Sequence, residues 1–205
     1  MLSQKEVLSI FREKGALKEG HFELSSGLHS GEYVQAALVL QYPSYADKLC
    51  RSLSCYFEEE NVQLVISPAI GGIIVGQKVA EVLGARAIFA ERVQGKLVLR
   101  RGFDISYGER TLIVEDVITT GGSVREIIEI VEAKGGIVVG VGCLVDRSEG
   151  RAVFSLGKDK KKVIRPKSLL SLRLQTYSKQ DCPLCRKGLP LSRPGSRKDE
   201  KKSYL

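Results

Sequence analysis

Residues 111–123 read TLIVEDVITTGGS. Thr111 to Val114 form an apolar, β-rich run, which Glu115 and Asp116 close. Five of the next seven residues are Thr, Gly or Ser. Such a stretch predicts a buried strand over 111–116, then a tight turn into a helix. In an open α/β sheet, ligands bind where strands end and helices begin. Amides at a helix start lack intrahelical partners and bear partial positive charge, so they favour an anion. Gly121 and Gly122 let the backbone approach that anion closely. Thr119, Thr120 and Ser123 add hydroxyl donors. Glu115 and Asp116 would repel the same anion and must face something else. A carboxylate pair beside a phosphate cradle suits the vicinal hydroxyls of a sugar, and the two together describe a ribose 5-phosphate unit. Two acids alone would be no more than the surface of a βα loop; the ten-residue combination 114–123 goes beyond that. The usual nucleoside-triphosphate loop is excluded, because no G-x-x-x-x-G-K-[ST] occurs.

The flanking sequence repeats the alternation of strand and helix. VQLVIS (62–67), RAIFA (86–90) and IVVGVGCLVDR (137–147) are apolar almost throughout. Between them, IIVGQKVAEVL (73–83) and VREIIEIVEAKG (124–135) have helical spacing, with Val124, Ile127, Ile128 and Val131 on one face. Apolar strands alternating with helices indicate a mostly parallel sheet covered on both faces. Upstream, Ser3-Gln4-Lys5-Glu6 is a capping box for a short helix through Val7, Leu8 and Phe11. A second helix opens after Pro43, with Ala46, Leu49, Cys50, Leu53 and Phe57 on its apolar face. HFELSSGLHSGEYVQ (21–35) is too broken by Ser and Gly for a helix and reads as short strands with a turn. Residues 91–110 are charged and glycine-punctuated, suited to a mobile loop or hairpin. Residues 178–205 read as an extension outside the core.

The 205 residues fit one domain with an appendage. No apolar run reaches the length of a membrane span. The charged start, MLSQKEVLSIFREKG, differs from a signal peptide, and five Cys point to a reducing cytoplasm. The net charge of +8 is uneven. Residues 158–205 carry 15 Lys and Arg against 4 Asp and Glu, whereas residues 1–157 carry 17 against 20. A basic tail suits nucleic acid, but only Tyr177 and Tyr204 interleave it. Without a stacking platform, a solvated end is the expected state.

The stretch 111–123 resembles the phosphoribosyl-pyrophosphate motif of type I phosphoribosyltransferases. The resemblance implies an α/β fold with a central, mostly parallel sheet flanked by helices and a small N-terminal hood at about residues 15–40. It implies that Glu115 and Asp116 hold the ribose 2′- and 3′-hydroxyls, and that the segment from Val117 and Ile118 through Thr119, Thr120, Gly121, Gly122 and Ser123 holds the 5′-phosphate. Three more stretches are similar to the orotate branch of this family. HFELSSGLHSGEYVQ resembles its hood, with Ser26 and Gly27 at the substrate. SPAIGGIIVG (67–76) resembles its pyrophosphate loop, with Ala69, Ile70 and Gly71. LVDRSEG (144–150) resembles its post-strand segment, where Arg147 meets the orotate carboxylate. ERVQGKLVLRRGF (91–103) and CPLCRKGLPLSRPGSR (182–197) are also similar to this branch. The implied activity joins orotate to the ribose of phosphoribosyl pyrophosphate, with Mg²⁺ held through the substrate rather than by direct protein ligation. The loop 92–101, bearing Arg92, Lys96, Arg100 and Arg101, is implied to close over pyrophosphate from the neighbouring subunit of a homodimer. The chain departs from the enteric branch, which has Lys at the positions of Ser25 and Gly71 and a longer, His-bearing loop. A purine-type transferase shares the ribose-phosphate motif, though a purine offers Arg147 no carboxylate. A nucleic-acid-binding regulator on the same fold has only the basic tail in its favour. The domain expectation is therefore residues 1–177, followed by a basic extension, 178–205.

Two side observations complete the reading. Cys182-Pro183-Leu184-Cys185 has zinc-knuckle spacing, yet zinc needs four ligands and the chain has no second such pair. A turn with reduced thiols is expected, two pairs meeting across a dimer being the alternative. His21 and His29 are the only histidines and receive no role in proton transfer.

Overall fold

Element by element, the apolar runs become the strands and the amphipathic stretches become their cover. A computed structural model describes residues 1–24, 26–157 and 159–194. Ser25 and the end of the basic tail from 195 on, noted above, lie outside the described residues. In chain order the elements are α1 (Gln4–Glu13), β1 (Leu17–Glu23), β2 (His29–Val34), α2 (Ala37–Leu40), α3 (Pro43–Ser54), β3 (Leu64–Pro68), α4 (Gly72–Leu83), β4 (Arg86–Val93) and β5 (Lys96–Leu99). Then come β6 (Arg110–Ile118), α5 (Gly122–Ala133), β7 (Ile137–Asp146), β8 (Phe154–Leu156), β9 (Lys162–Ile164), β10 (Lys167–Ser171), β11 (Thr176–Tyr177) and α6 (Pro183–Arg186).

The main sheet has the order β10-β7-β6-β3-β4-β5. All its pairings are parallel except β4 with β5, which form an antiparallel hairpin at one edge. Side chains alternate along each strand, so both faces need cover. One face packs Val65, Leu112, Val114 and Leu144 against α1, α3 and α4. The other packs Leu64, Ile66, Ile113 and Cys143 against the α5 stripe of Val124, Ile127, Ile128 and Val131. Leu112, Ile113 and Leu144 are fully enclosed, and truncating one to Ala would cost about 2–5 kcal/mol. The α1 capping box forms: Ser3 Oγ accepts from Glu6 N and Glu6 Oε2 accepts from Ser3 N.

Three differences from the sequence reading have local causes. Phe57 belongs to no helix, since α3 ends at Ser54. It is nevertheless buried, filling the space that Gly140 and Gly142 leave on β7. The motif strand runs past residue 116 to Ile118, because Val117 and Ile118 extend the ladder onto Val145 and Asp146. Residues 176–194 are docked rather than free. β11 joins β1 and β2 in a three-stranded sheet, Cys182 is fully buried, and Ser192 bridges to Phe22.

Candidate active site

The turn after β6 builds the cleft. Gly121 has φ +74°, a left-handed conformation that costs glycine little. A Cβ there would stand 2.8 Å from Phe154 Cε1, so Phe154 also holds the position small. No side chain caps α5, which leaves the first-turn amides for a ligand. Arg125 braces the turn by donating to Thr120 O at 2.7 Å. The resulting cleft, ≈ 290 Å³, is lined by Arg92, Glu115, Val117, Thr119, Thr120, Gly121, Gly122, Ser123 and Glu126. Glu126 was not legible as a site residue. It is paired with Arg92 at 3.0 Å and accepts from Leu97 N at 2.8 Å, which ties the β4–β5 hairpin to the helix that carries the cradle.

The acidic pair splits across the strand. Glu115 lines the cleft, whereas Asp116 faces the loop after β3, against Gly71. Burial pushes the Glu115 carboxyl up to about 8, reinforced by Asp116 and offset by Arg92. Burial also raises Asp116, opposed by the backbone amides of Val117 and of Asp116 itself. Ile118, expected among the binding residues, is instead fully enclosed in the core. Its strand position turns the side chain inward, and its carbonyl accepts from Arg147 N at 2.8 Å.

That bond, with β7 paired alongside β6, sets Arg147 next to the cradle. The carboxylates beside it in sequence are occupied elsewhere. Asp146 Oδ1 accepts from Ser148 N at 2.7 Å, and Glu149 faces Arg151 and Arg173. Arg147 Nε is buried with no hydrogen-bond partner among the described residues. Burial pulls its pKa down, partly offset by Tyr33 and Glu32. Tyr33 is raised by burial and feels both Arg147 and Asp116. The hood strand β2 thus brings Tyr33 near Arg147 and Asp116. Tyr33 and Glu32 lie within the hood stretch already quoted, but nothing in their spacing singled them out.

Residues 69–71, expected at pyrophosphate, adjoin this face, with Gly71 against Asp116. Ala69 N donates to Ala90 O at 2.8 Å, the Ala69–Ile70 peptide is cis, and Ile70 is 82% exposed. The other expected residues stand farther out. Ser26 and Gly27 form the exposed hood turn, where Gly27 N donates to Leu24 O. The stretch 92–101 is largely the hairpin, closed by Gln94 and Gly95, both at positive φ. Lys96 and Arg100 are exposed and do not line the cleft; Arg100 and Arg101 lean on Glu91 at 3.8 and 2.5 Å. Neither histidine lines the cleft either. Both lie against Cys182 and Cys185, so the second pair of ligand atoms comes from histidine rather than from a second Cys pair. The separations of 161 and 156 residues concealed it.

Comparison with known proteins agrees with this geometry. The family model described as "Phosphoribosyl transferase domain" matches residues 39–163. The orotate phosphoribosyltransferase of Desulforamulus reducens is 52% identical over 196 residues, covering 96% of this chain and 98% of that protein. That of Pelotomaculum thermopropionicum is 50% identical, covering 96% and 100%. Among solved structures, the orotate phosphoribosyltransferase of Aeropyrum pernix superposes with a TM-score of 0.65 at 26% identity, over 81% of this chain and 93% of that one. With a family model matching residues 39–163 and relatives matched over nearly their whole length, the chain belongs to the orotate phosphoribosyltransferase family of type I phosphoribosyltransferases.

Proposed function

We infer that the cleft and the Arg147 face beside it bind phosphoribosyl pyrophosphate and orotate and join them. Orotate N1 bonds to ribose C1 as the C1–oxygen bond to pyrophosphate breaks; the N1 proton passes to the departing pyrophosphate or to solvent, giving orotidine 5′-monophosphate and pyrophosphate. The observation that carries the orotate reading is the buried, unpartnered Arg147 Nε beside the cradle. A guanidinium fork pairs bidentately with a carboxylate, and orotate is the pyrimidine that brings one. A purine would leave that group unsatisfied.

The protein's part in the reaction is positioning and charge. The amides of Gly121 to Ser123 and the hydroxyls of Thr119, Thr120 and Ser123 hold the 5′-phosphate. Glu115 and Asp116 take the ribose hydroxyls. Ala69, Ile70 and Gly71 offer backbone to pyrophosphate, and Ser26 and Gly27 close the hood turn. Arg92 stands at the cleft, while Lys96 and Arg100 reach the leaving group from the neighbouring subunit of a homodimer. Positive charge grows on the sugar and negative charge on the leaving group, so fixed cations at that end lower the barrier. The hard oxygen donors of the acidic rim suit Mg²⁺. Carried in on the substrate's own oxygens, Mg²⁺ supplies further neutralisation of the leaving pyrophosphate. No helix among the described residues is long and apolar enough to cross a membrane, and a cytoplasmic setting belongs to the same reading.

The test is direct. The protein is mixed with phosphoribosyl pyrophosphate, Mg²⁺ and, in separate arms, orotate, uracil, adenine, hypoxanthine or guanine. Loss of orotate is followed by ultraviolet absorbance. Turnover of a purine with none of orotate would overturn the reading.

A further inference from the structure

The cluster formed by His21, His29, Cys182 and Cys185 lies outside the active-site cleft, and the reaction above makes no use of it. One ligand atom from each, two ring nitrogens and two sulfurs, converge so that all four lie within 4.8 Å of one another. Cys182 Sγ is 3.5 Å from His21 Nε2, and Cys185 Sγ is 3.7 Å from His21 Nε2 and 3.3 Å from His29 Nδ1. His21 Nε2 and His29 Nδ1 are 2.9 Å apart. For zinc bonds of about 2.3 Å to sulfur and about 2.0–2.1 Å to nitrogen, the edges of a tetrahedron are about 3.6 Å for S–N and about 3.4 Å for N–N. The three S–N separations, 3.5, 3.7 and 3.3 Å, lie near that S–N length, the N–N separation of 2.9 Å is short of its edge, and no pair of the four atoms is more than 4.8 Å apart. We propose that these four side chains hold a structural Zn²⁺ that fastens the C-terminal segment to the hood.

The surroundings prepare the ligands. His21 Nδ1 lies 2.9 Å from Leu189 O. A carbonyl accepts only, so Nδ1 carries the ring proton and Nε2 presents its lone pair to the cluster. Outer hydrogen bonds of this kind orient histidine ligands at metal sites. His21 and His29 project from the paired hairpin strands β1 and β2, where Glu23 faces His29 in register. Cys182 is the N-cap of α6 and Cys185 lies within it, the turn being closed by Arg186 N on Cys182 O and Gly188 N on Cys185 O. His21, His29 and Cys182 are buried at 4%, 2% and 0% exposure. Paired thiolate and imidazole in a compact four-ligand set select zinc among divalent ions. Four protein ligands leave no open position, so the role is structural rather than catalytic. On binding, both thiols become thiolates and their protons pass to solvent.

The segment is clasped on both sides of the cluster. Before it, Thr176 and Tyr177 pair with Ser30 and His29. After it, Ser192 N donates to His21 O at 2.8 Å and Glu23 N donates to Ser192 O at 2.9 Å. Zinc would lock this three-stranded unit, whose strand β2 carries Tyr33 toward Arg147 and Asp116.

The experiment uses full-length protein without an affinity tag that binds metal, purified in reductant and without chelator. Metal analysis should give one zinc per chain, and zinc X-ray absorption should show two sulfur and two nitrogen neighbours. Co²⁺ in place of zinc should give the visible absorption of a tetrahedral, thiolate-bound ion. The double variant Cys182→Ser, Cys185→Ser should lose the metal, whereas Cys55→Ser should keep it. Removing zinc from the wild type should lower Tm and open the 178–194 segment to protease. Should the double variant fail to fold, wild-type metal content and the Co²⁺ spectrum still decide the question. The proposal is overturned by a wild-type protein that carries no zinc and takes up none, by iron in the site instead, by a Cys182–Cys185 disulfide under reductant, or by zinc retained in the double variant.

Discussion

Asp116 occupies the space where a side chain on residue 71 would begin. A Cβ built on Gly71 would stand 2.5 Å from Asp116 Oδ2 and 2.8 Å from its Cγ and Oδ1. Gly71 has ordinary helical φ and ψ, so it is the approach of the carboxylate, not the backbone angle, that demands glycine here. Gly71→Ala must therefore push Asp116 aside or displace the pyrophosphate loop. Steady-state kinetics should show kcat/KM down at least about tenfold, equivalent to ~1.4 kcal/mol of transition-state stabilisation. Asp116→Ala should lose at least as much. Unchanged kinetics in Asp116→Ala would remove the ribose role from this carboxylate.

Glu115 should make both stability and substrate binding depend on pH. Its folded-state pKa is pushed from an ordinary value of 4.5 to about 8. Between those values the free folded protein holds a proton that the unfolded chain has released. The group's contribution to stability is therefore fully present below about pH 4.5 and is lost as pH rises towards 8. Ribose hydroxyls donating to Glu115 favour its ionised form, so phosphoribosyl pyrophosphate with Mg²⁺ should displace a proton on binding near pH 7. Calorimetry in two buffers of different ionisation enthalpy measures that release. Glu115→Gln should abolish the release and flatten the pH dependence of Tm between pH 5 and 8; equal proton release in the variant would assign it to another group.

How far the sequence carried depends on whether the signal was local. Val124, Ile127, Ile128 and Val131 announced their buried face because helical spacing is written within one element. The turn from β6 into α5 was legible for the same reason, its Thr, Gly and Ser being contiguous from Thr119 to Ser123. Glu126 was not, because its role comes from Arg92 and Leu97 on a hairpin that folds back to meet it. The burial of the Ile118 side chain was not legible, since motif position does not reveal which way a strand residue points. The His and Cys cluster was hidden most deeply, its two halves meeting through pairing of β11 with β2 and the return of Ser192 onto β1.

The hairpin predicts shared active sites. Lys96 and Arg100 are exposed and stand away from their own chain's cleft, the arrangement needed if they serve a neighbour. The variants Lys96→Ala with Arg100→Ala, and separately Asp116→Ala, should each be nearly inactive. After confirmed subunit exchange, mixed dimers should regain up to one intact site of the two. No recovery despite exchange would show that the hairpin acts in cis or not at all.

Arg147 gives the sharpest separation of binding from folding. A buried guanidinium without a partner for Nε is expensive to the folded state, and its lowered pKa has the same cause, burial. Such a cost is sustained where a ligand repays it. Arg147→Ala removes the cost and the ligand contact together, so the variant should be at least as stable as the wild type by thermal denaturation. It should also lose orotate affinity. A charged hydrogen bond is worth about 1.5–3 kcal/mol, or roughly 10- to 150-fold. Phosphoribosyl pyrophosphate binding should change little, since the cradle of residues 119–123 does not depend on the side chain. Preference for orotate over uracil should narrow, because the two differ by one carboxylate. Arg147→Lys should restore little, as an ammonium cannot reproduce the planar fork. Calorimetric titration of both ligands, with Tm measured on the same samples, distinguishes the outcomes. A variant that melts earlier and weakens both ligands alike would make Arg147 a structural residue, with the carboxylate read elsewhere.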